Sequence, residues 1–172
     1  LTSTLHADID DSATSLVVDV TGVTWRSQGI PIALFDSCDT IDVSKWTIDG
    51  GSGLTANGQW TFATTLGGSY TTATSATTYD LTGKYHSLQL VSAGNQALAS
   101  LEVFACQLYK DSNNSVSFYI NDGHIFALHR ASGSTTISGS TTYNSTTHQW
   151  LRIREQSGTT YWDTSHDGIR WT

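Results

Sequence analysis

The stretch from residue 99 to residue 131 constrains the fold more than any other part of the chain. It reads ASLEVFACQLYK, DSNNS, VSFYIN, DG and HIFALHRA, which is three apolar and β-branched runs separated by short polar segments. Runs of this length bounded by turn residues are typical of β-strands, and Asp122-Gly123 is a strong signal for a tight hairpin. The first run is nearly unbroken, which predicts a central strand with both faces covered.

The same pattern of short strands and turns continues through most of the sequence. Asn57-Gly58 precedes QWTFATT and predicts another hairpin. The chain holds 27 Thr and 22 Ser against three Lys and two Glu, a usage that favours strands and hydroxyl-rich loops over surface helices. With 172 residues, the chain has the length of one domain, and we expect an all-β sandwich or barrel.

Two segments flank or interrupt this pattern. Residues 1–34 contain the alternating runs TLHADI and SLVVDV and the only proline, Pro31, which predicts a short β-strand arm before a sandwich at 35–172. The segment SGSTTISGSTTYNSTTHQ repeats SGSTT, with Ile137 and Tyr143 at equivalent places. We expect it to form a hairpin of two weak strands at the sandwich edge.

Charge and cysteine content exclude several classes of function. The net charge is -7 and the pI about 5.0, which argues against a nucleic-acid partner or an anionic membrane surface. The sequence contains no apolar stretch of 18 residues, about the length needed to span a bilayer, so membrane insertion is not expected. Cys38 and Cys106 are too few for a disulfide framework. Buried free thiols are the favoured interpretation, with a single bridge as the alternative.

The ionisable residues do not form a recognisable catalytic or metal-binding motif. Glycoside hydrolases need two close carboxylates, but the two glutamates, Glu102 and Glu155, are far apart in sequence. Asp36, Asp39 and Asp42 are spaced three residues apart, and their carboxylates could coordinate calcium. They lack the alternating ligands of a calcium loop, however, and Asp is a common turn residue. We therefore expect no cofactor, no metal and no enzymatic activity, with hydrolysis using Glu102 or Glu155 as a minor alternative.

The C-terminal stretch HQWLRIREQSGTTYWDTSHDGIRWT contains the residues that most suggest binding. Asp167-Gly168 predicts a hairpin turn, which gives His166 no catalytic task. If the preceding strand is regular, Leu151 and Ile153 share the core face and the other face carries a row of ring and guanidinium groups. Aromatic rings stack on sugars and Arg donates to hydroxyls or carboxylates. The candidate glycan-binding residues are therefore Trp150, Arg152, Arg154 and Trp162, the last lying on the next strand. The alternative is a structural role at the end of the sandwich.

Several segments, in this order, resemble the concanavalin A-like, laminin G-like domains of minor tail proteins from phages that infect actinobacteria. They are LFDSCDTIDVSKWTIDGG, TANGQWTF, YDLTG, DSNNSVSFYI and the C-terminal stretch quoted above, and they cover roughly residues 34–172. The resemblance implies an antiparallel jelly-roll β-sandwich of two sheets. In such domains at least one more strand usually follows the position of Thr172, so we expect a sandwich that is truncated or lacks its last strand.

The resemblance also implies a function. It indicates a virion protein of the tail tip or fibre whose lectin-like domain binds a host cell-surface glycan outside the cell, presented in several copies beside other tail subunits. Repetition of a weak site would raise its avidity. The alternative is a purely structural tail or baseplate subunit, a homo-oligomer that packs against its neighbours without binding sugar. A shared fold does not decide between these roles.

Overall fold

The described part of the chain is built from β-strands. The computed structural model describes residues 30–31, 34, 36–49, 54–56, 58–62, 71–93 and 104–172. All regular structure in these ranges is strand, and none of it includes a helix of the length and hydrophobicity needed to span a bilayer. The all-β prediction is confirmed. The expected strands of the arm, TLHADI and SLVVDV, lie outside the described residues.

Twelve strands are defined in these ranges. They are β1 (Ile30–Pro31), β2 (Trp46–Asp49), β3 (Leu54–Ala56), β4 (Trp60–Phe62), β5 (Thr72–Ser75), β6 (Lys84–Gln89), β7 (Phe104–Asp111), β8 (Asn114–Asn121), β9 (His124–Ala131), β10 (Ser134–Thr142), β11 (Trp150–Gln156) and β12 (Thr159–Ser165).

The strands form two four-stranded sheets and two smaller pairs. Sheet I has the order β1-β6-β11-β12, and sheet II has the order β10-β9-β8-β7. Within sheet I, β1 pairs with β6 in parallel, and the other pairings in both sheets are antiparallel. Strand β2 pairs with β5, and β3 pairs with β4.

Tight turns of the predicted kind set the register of the long hairpins. Asp122 and Gly123, between β8 and β9, both have positive φ, at 50° and 70°. Ser157-Gly158 between β11 and β12 has the same conformation, the one that two-residue hairpin loops require. Gly58 (φ 70°) lies between the paired strands β3 and β4, so the hairpin predicted there is confirmed.

Two sequence predictions about sheet II are wrong. The apolar run before Lys110 forms β7, which stands at the end of the sheet among the described strands, and Tyr109 on it is 62% exposed. The Thr- and Ser-rich repeat forms one nine-residue strand, β10, rather than a hairpin. A bulge between Ile137 and Gly139 absorbs one residue, so the strand keeps pairing with β9 over its whole length. Among the strands that the structure describes, β10 stands at the sheet edge, as the sequence predicts.

One hydrophobic core joins the inner faces of the two sheets. Leu151 and Ile153 of sheet I are each 1% exposed and belong to the same cluster as Phe118 and Ile120 of sheet II. The Trp162 indole packs against this cluster and donates from Nε1 to the Ser117 carbonyl oxygen at 3.0 Å, which ties β12 to β8. Two packed sheets, antiparallel except for the short strand β1, with one shared core are consistent with a β-sandwich.

Both cysteines are free, as favoured by the sequence. Cys106 is part of the core, and burial raises the pKa of its thiol to about 12. Cys38 is half-buried, and its pKa is raised by burial and by the nearby Asp36 carboxylate.

Candidate functional site

The SHDG turn is held by its own side chains. Ser165 Oγ accepts hydrogen bonds from the backbone N–H groups of Asp167 and Gly168. Asp167 Oδ1 accepts from the N–H groups of Arg170 and Ile169 at 2.8 and 2.9 Å, and these bonds lower the pKa of the carboxyl to about 2. The turn prediction is confirmed.

The turn packs directly on Trp150. A Cβ built on Gly168 would lie 3.0 Å from two ring carbons of Trp150, and the glycine has φ 72°. Beyond the turn, Thr172 exchanges two backbone hydrogen bonds with Thr164 of β12, at 2.9 and 3.0 Å. The C-terminal residues therefore fold back over the outer face of sheet I.

The outer face of sheet I carries three of the four predicted binding residues. Leu151 and Ile153 point into the core, so the alternating residues Trp150, Arg152 and Arg154 share the outer face, as the sequence predicts. We call this surface, with Asp163, Tyr161, Tyr85 and Trp171 beside them, the aromatic–arginine face.

The two guanidinium groups on this face are joined by one carboxylate. Arg152 donates to Asp163 Oδ2 from Nε at 2.9 Å and from Nη2 at 2.8 Å, and Arg154 Nε reaches the same oxygen at 2.8 Å. Arg152 is only 5% exposed and Asp163 only 8%. Charged groups are buried this deeply only when they are paired, so the burial of Arg152 and Asp163 on this sheet depends on their ion pair.

Aromatic rings cover the same guanidinium groups. Trp171 lies over Arg152 with its ring centre 4.2 Å from Cζ, and Tyr161 lies over Arg154 at 4.0 Å. Arg154 also donates to Gln156 at 2.7 Å. Tyr161, at 39% exposure, is the ring on this face that is most open to solvent. The Arg152 guanidinium is therefore occupied by partners within the chain.

Trp162 does not share this face. The hairpin register places it opposite Ile153, on the core side, and its indole bonds to sheet II. This corrects the sequence expectation that Trp162 lies near the arginines: the structure brings Trp150, Arg152 and Arg154 together and separates Trp162 from them.

The acidic residues considered for calcium and for catalysis are engaged in turns. Asp36 accepts from the Cys38 N–H and from the Trp46 indole N–H, and Asp42 accepts from the N–H and hydroxyl of Ser44. Within the described ranges, no group of three or more His, Cys, Asp or Glu side chains could hold a metal ion. The turn interpretation of this acidic segment is therefore supported by its hydrogen bonds.

Glu155 also has a structural position. Its two carboxylate oxygens accept the backbone N–H groups of Gly83 and Gly158, which ties the turn before β6 to the turn after β11. Glu102 lies outside the described residues.

A second surface, on the outer face of sheet II, contains a cleft that the sequence analysis missed. The cleft has a volume of about 260 Å³. It is lined by Gln107, Ser115, Ser117, Tyr119, Leu128, His129, Arg130 and Thr135. Cross-strand pairs such as Gln107 with Ser117, and Ser117 with Leu128, place all of these except His129 on the face opposite the core.

The cleft combines hydrogen-bonding groups with a ring. Gln107 Nε2 donates to Ser115 Oγ at 2.9 Å, which fixes the amide beside the cleft and leaves its carbonyl oxygen as an acceptor. Tyr119 lies 6.4 Å from Phe126, whose ring is 6.0 Å from that of His124, so a row of rings leads away from the cleft along β9. Among the described residues, no carboxylate lines the cleft.

Arg130 supplies the positive charge of the cleft. Its Nε donates to the Ser112 carbonyl oxygen at 2.9 Å and its Nη1 to Thr135 Oγ1 at 3.2 Å. These bonds hold the guanidinium between the β7–β8 turn and β10. The alternation of Ser115, Ser117 and Tyr119 along SVSFYI was the available sequence signal for this face, but the sequence does not show that Arg130 and Gln107 join it.

Comparison with models of protein families, with curated proteins and with solved structures gave no match.

Proposed function

We propose that the chain is a lectin-like, jelly-roll domain of a phage tail protein and that it binds a host cell-surface glycan through the cleft on sheet II. The observation that carries this proposal is the make-up of the cleft, which combines Tyr119, Gln107 and Arg130 with hydroxyl groups on a solvent-facing sheet. Sugars present both an apolar ring face and many hydroxyl groups, so they suit a surface that offers an aromatic ring beside fixed donors and acceptors.

The shape of the surface also favours an extended ligand. The ring row of Tyr119, Phe126 and His124 continues beyond the cleft, while Tyr109 and Ile137, on the same face, are 62% and 59% exposed. Apolar side chains exposed together on one sheet face often mark a binding surface. An oligosaccharide could therefore contact several of these groups at once.

The proposed role is binding without catalysis. Glu155, one of two glutamates in the chain, uses both carboxylate oxygens to accept backbone N–H groups. None of the described residues that line the cleft is a carboxylate, whereas hydrolysis of a glycosidic bond generally uses a pair of them. A tail protein on the virion would present this weak site in several copies and gain affinity through avidity.

The direct test compares two tyrosines on the two outer faces. Purified protein would be incubated with actinobacterial cell walls, and the bound fraction measured across protein concentrations. We expect Tyr119→Ala to weaken binding at least ~10-fold, and Tyr161→Ala, which removes an exposed ring from the aromatic–arginine face, to leave it unchanged. The cleft is the wrong site if the Tyr161 variant loses binding and the Tyr119 variant keeps it.

A structural subunit is the alternative proposal, and strand β10 favours it. All nine residues of β10 are exposed, none is charged, and the strand stands at the end of sheet II among the described strands. Long uncharged edges can pair with strands of other chains unless they are protected. If self-association carries the function, Thr141→Lys, on the face of β10 opposite the cleft, should lower the oligomer mass measured by sedimentation velocity. Unchanged sedimentation with intact cell-wall binding would argue for the glycan-binding proposal instead.

A further inference from the structure

The charge of the cleft indicates which class of saccharide it binds. We infer that the glycan carries a carboxylate group, as uronic acids do, and that this carboxylate pairs with the Arg130 guanidinium. The inference rests on the proposed function, because it names the ligand class of the same cleft.

Arg130 differs from the other arginines that the structure describes. Arg152 and Arg154 pair with Asp163, and Arg170 lies 3.6 Å from an Asp167 oxygen. Arg130 has no carboxylate within 4.0 Å in the described part of the chain, although acidic residues outnumber basic ones by 15 to 8 in the sequence. In a protein of this charge, an arginine without an acidic partner is available for an anion from outside the chain.

The Arg130 side chain is also held in place before any ligand binds. Its Nε and Nη1 donate to Ser112 and Thr135, while Nη2 has no partner among the described residues. A guanidinium fixed in this way loses little conformational freedom on binding, and its planar arrangement of N–H groups matches the geometry of a carboxylate. The neighbouring Gln107 and Ser115 can hydrogen-bond to the hydroxyl groups of the same sugar.

The electrostatics of the whole chain make this pairing selective. The net charge of -7 repels acidic polymers in general, so an acidic glycan would bind only where a local cation offsets that repulsion. The cleft supplies such a cation, and its lining holds no carboxylate among the residues that the structure describes. Neutral sugars could make the hydrogen bonds but would leave the guanidinium without a counter-charge.

The test uses a matched pair of ligands made from one material. Purified actinobacterial cell-wall polysaccharide would be used as isolated and after carbodiimide-mediated reduction of its carboxyl groups to alcohols, and binding measured by calorimetry. We expect reduction to weaken binding of the parent protein at least ~10-fold. Arg130→Gln should weaken binding of the native polysaccharide by a similar factor and bind the two forms almost equally.

Two further variants separate a specific contact from a general charge effect. Lys110→Gln removes the same charge from β7 outside the cleft and should bind like the parent. Thr135→Val keeps the Arg130 charge but removes one anchor of its guanidinium, so it should bind with intermediate affinity. The unfolding midpoint of each variant would show that it is folded.

The outcomes distinguish this inference from the proposed function. Equal binding of native and reduced polysaccharide by the parent, together with loss of binding in Tyr119→Ala, would overturn the acidic ligand and keep the glycan site. Equal losses in Arg130→Gln and Lys110→Gln would also overturn it, because a general charge effect would then suffice. Failure of the parent to bind either form would overturn both proposals.

Discussion

Replacing Asp163 by Asn tests whether the buried charges on sheet I are held together by one carboxylate. The substitution preserves size and one acceptor oxygen but removes the negative charge that Arg152 and Arg154 share. Removing one partner of a buried ion pair typically costs about 3–5 kcal/mol, because the remaining charge stays away from water.

The exposure of the two arginines places the expected cost within this range. The Arg152 side chain is 6% exposed and would be left buried without its counter-charge. The Arg154 side chain is 22% exposed, bonds to Gln156 and can be partly hydrated. We therefore expect a loss near the lower limit, about 3 kcal/mol, which corresponds to a fall in Tm of about 6–12 °C for a chain of this size.

Urea unfolding, followed by tryptophan fluorescence, would measure this loss. Arg152→Met leaves Asp163 paired with Arg154 and should cost only about 1–2 kcal/mol, so the Asn variant should be the less stable of the two. Asp39→Asn, at an exposed turn, serves as a control and should change the unfolding free energy by less than about 0.5 kcal/mol. A loss below about 1 kcal/mol in Asp163→Asn, with an unchanged m-value, would refute the reasoning.

Two further predictions concern the C-terminal turn. Gly168→Ala should destabilise the protein by about 1–3 kcal/mol, because Gly168 has positive φ and its new methyl group would press on the Trp150 ring. Gly158 also has positive φ, but a Cβ built there meets no other atom within 4 Å, so Gly158→Ala should cost less stability than Gly168→Ala. Equal losses of stability in thermal unfolding would contradict the packing of the turn on the indole. The pKa of Asp167 is lowered from 3.8 to about 2, so its contribution to stability should be full above pH 4 and decline as the pH falls towards 2. Asp167→Asn should reduce the loss of stability over that pH range, and an unchanged acid limb in pH-dependent unfolding would contradict this assignment.

The hairpins could be predicted because local residues determine them. Asp122-Gly123 and Ser157-Gly158 occupy conformations with positive φ that these residue types tolerate, and alternation around them gives the correct inward faces for Leu151 and Ile153. Recognising Ser157-Gly158 as a two-residue turn would also have placed Trp162 opposite Ile153. The sequence therefore contained the information needed to place Trp162 on the core side of sheet I.

The cleft could not be derived in the same way. It depends on the register of four strands, and a bulge between Tyr109 and Asp111 interrupts that register between the β7–β8 turn and Gln107. The bulge shifts the alternation by one residue, which changes the face that later side chains occupy. The pairing of Arg152 with Asp163 could not be predicted either, because an arginine on an outer face is normally expected to reach solvent.

The arginines on the two outer faces have different kinds of partner. On sheet I the guanidinium groups are neutralised within the chain and covered by rings, whereas the partners that anchor Arg130 in the described part of sheet II are neutral. This difference is the reason for placing the glycan on sheet II rather than on the aromatic–arginine face, where the sequence placed it.

Chemical-shift mapping with an actinobacterial cell-wall oligosaccharide tests the central claim most directly. In a titration followed by ¹⁵N-correlated spectra, the account predicts that the largest shifts cluster on the outer face of sheet II, at Gln107, Ser117, Tyr119 and Thr135. Shifts confined to β11 and β12 around Arg154 and Tyr161, or saturating binding that leaves the sheet II residues unmoved, would contradict it.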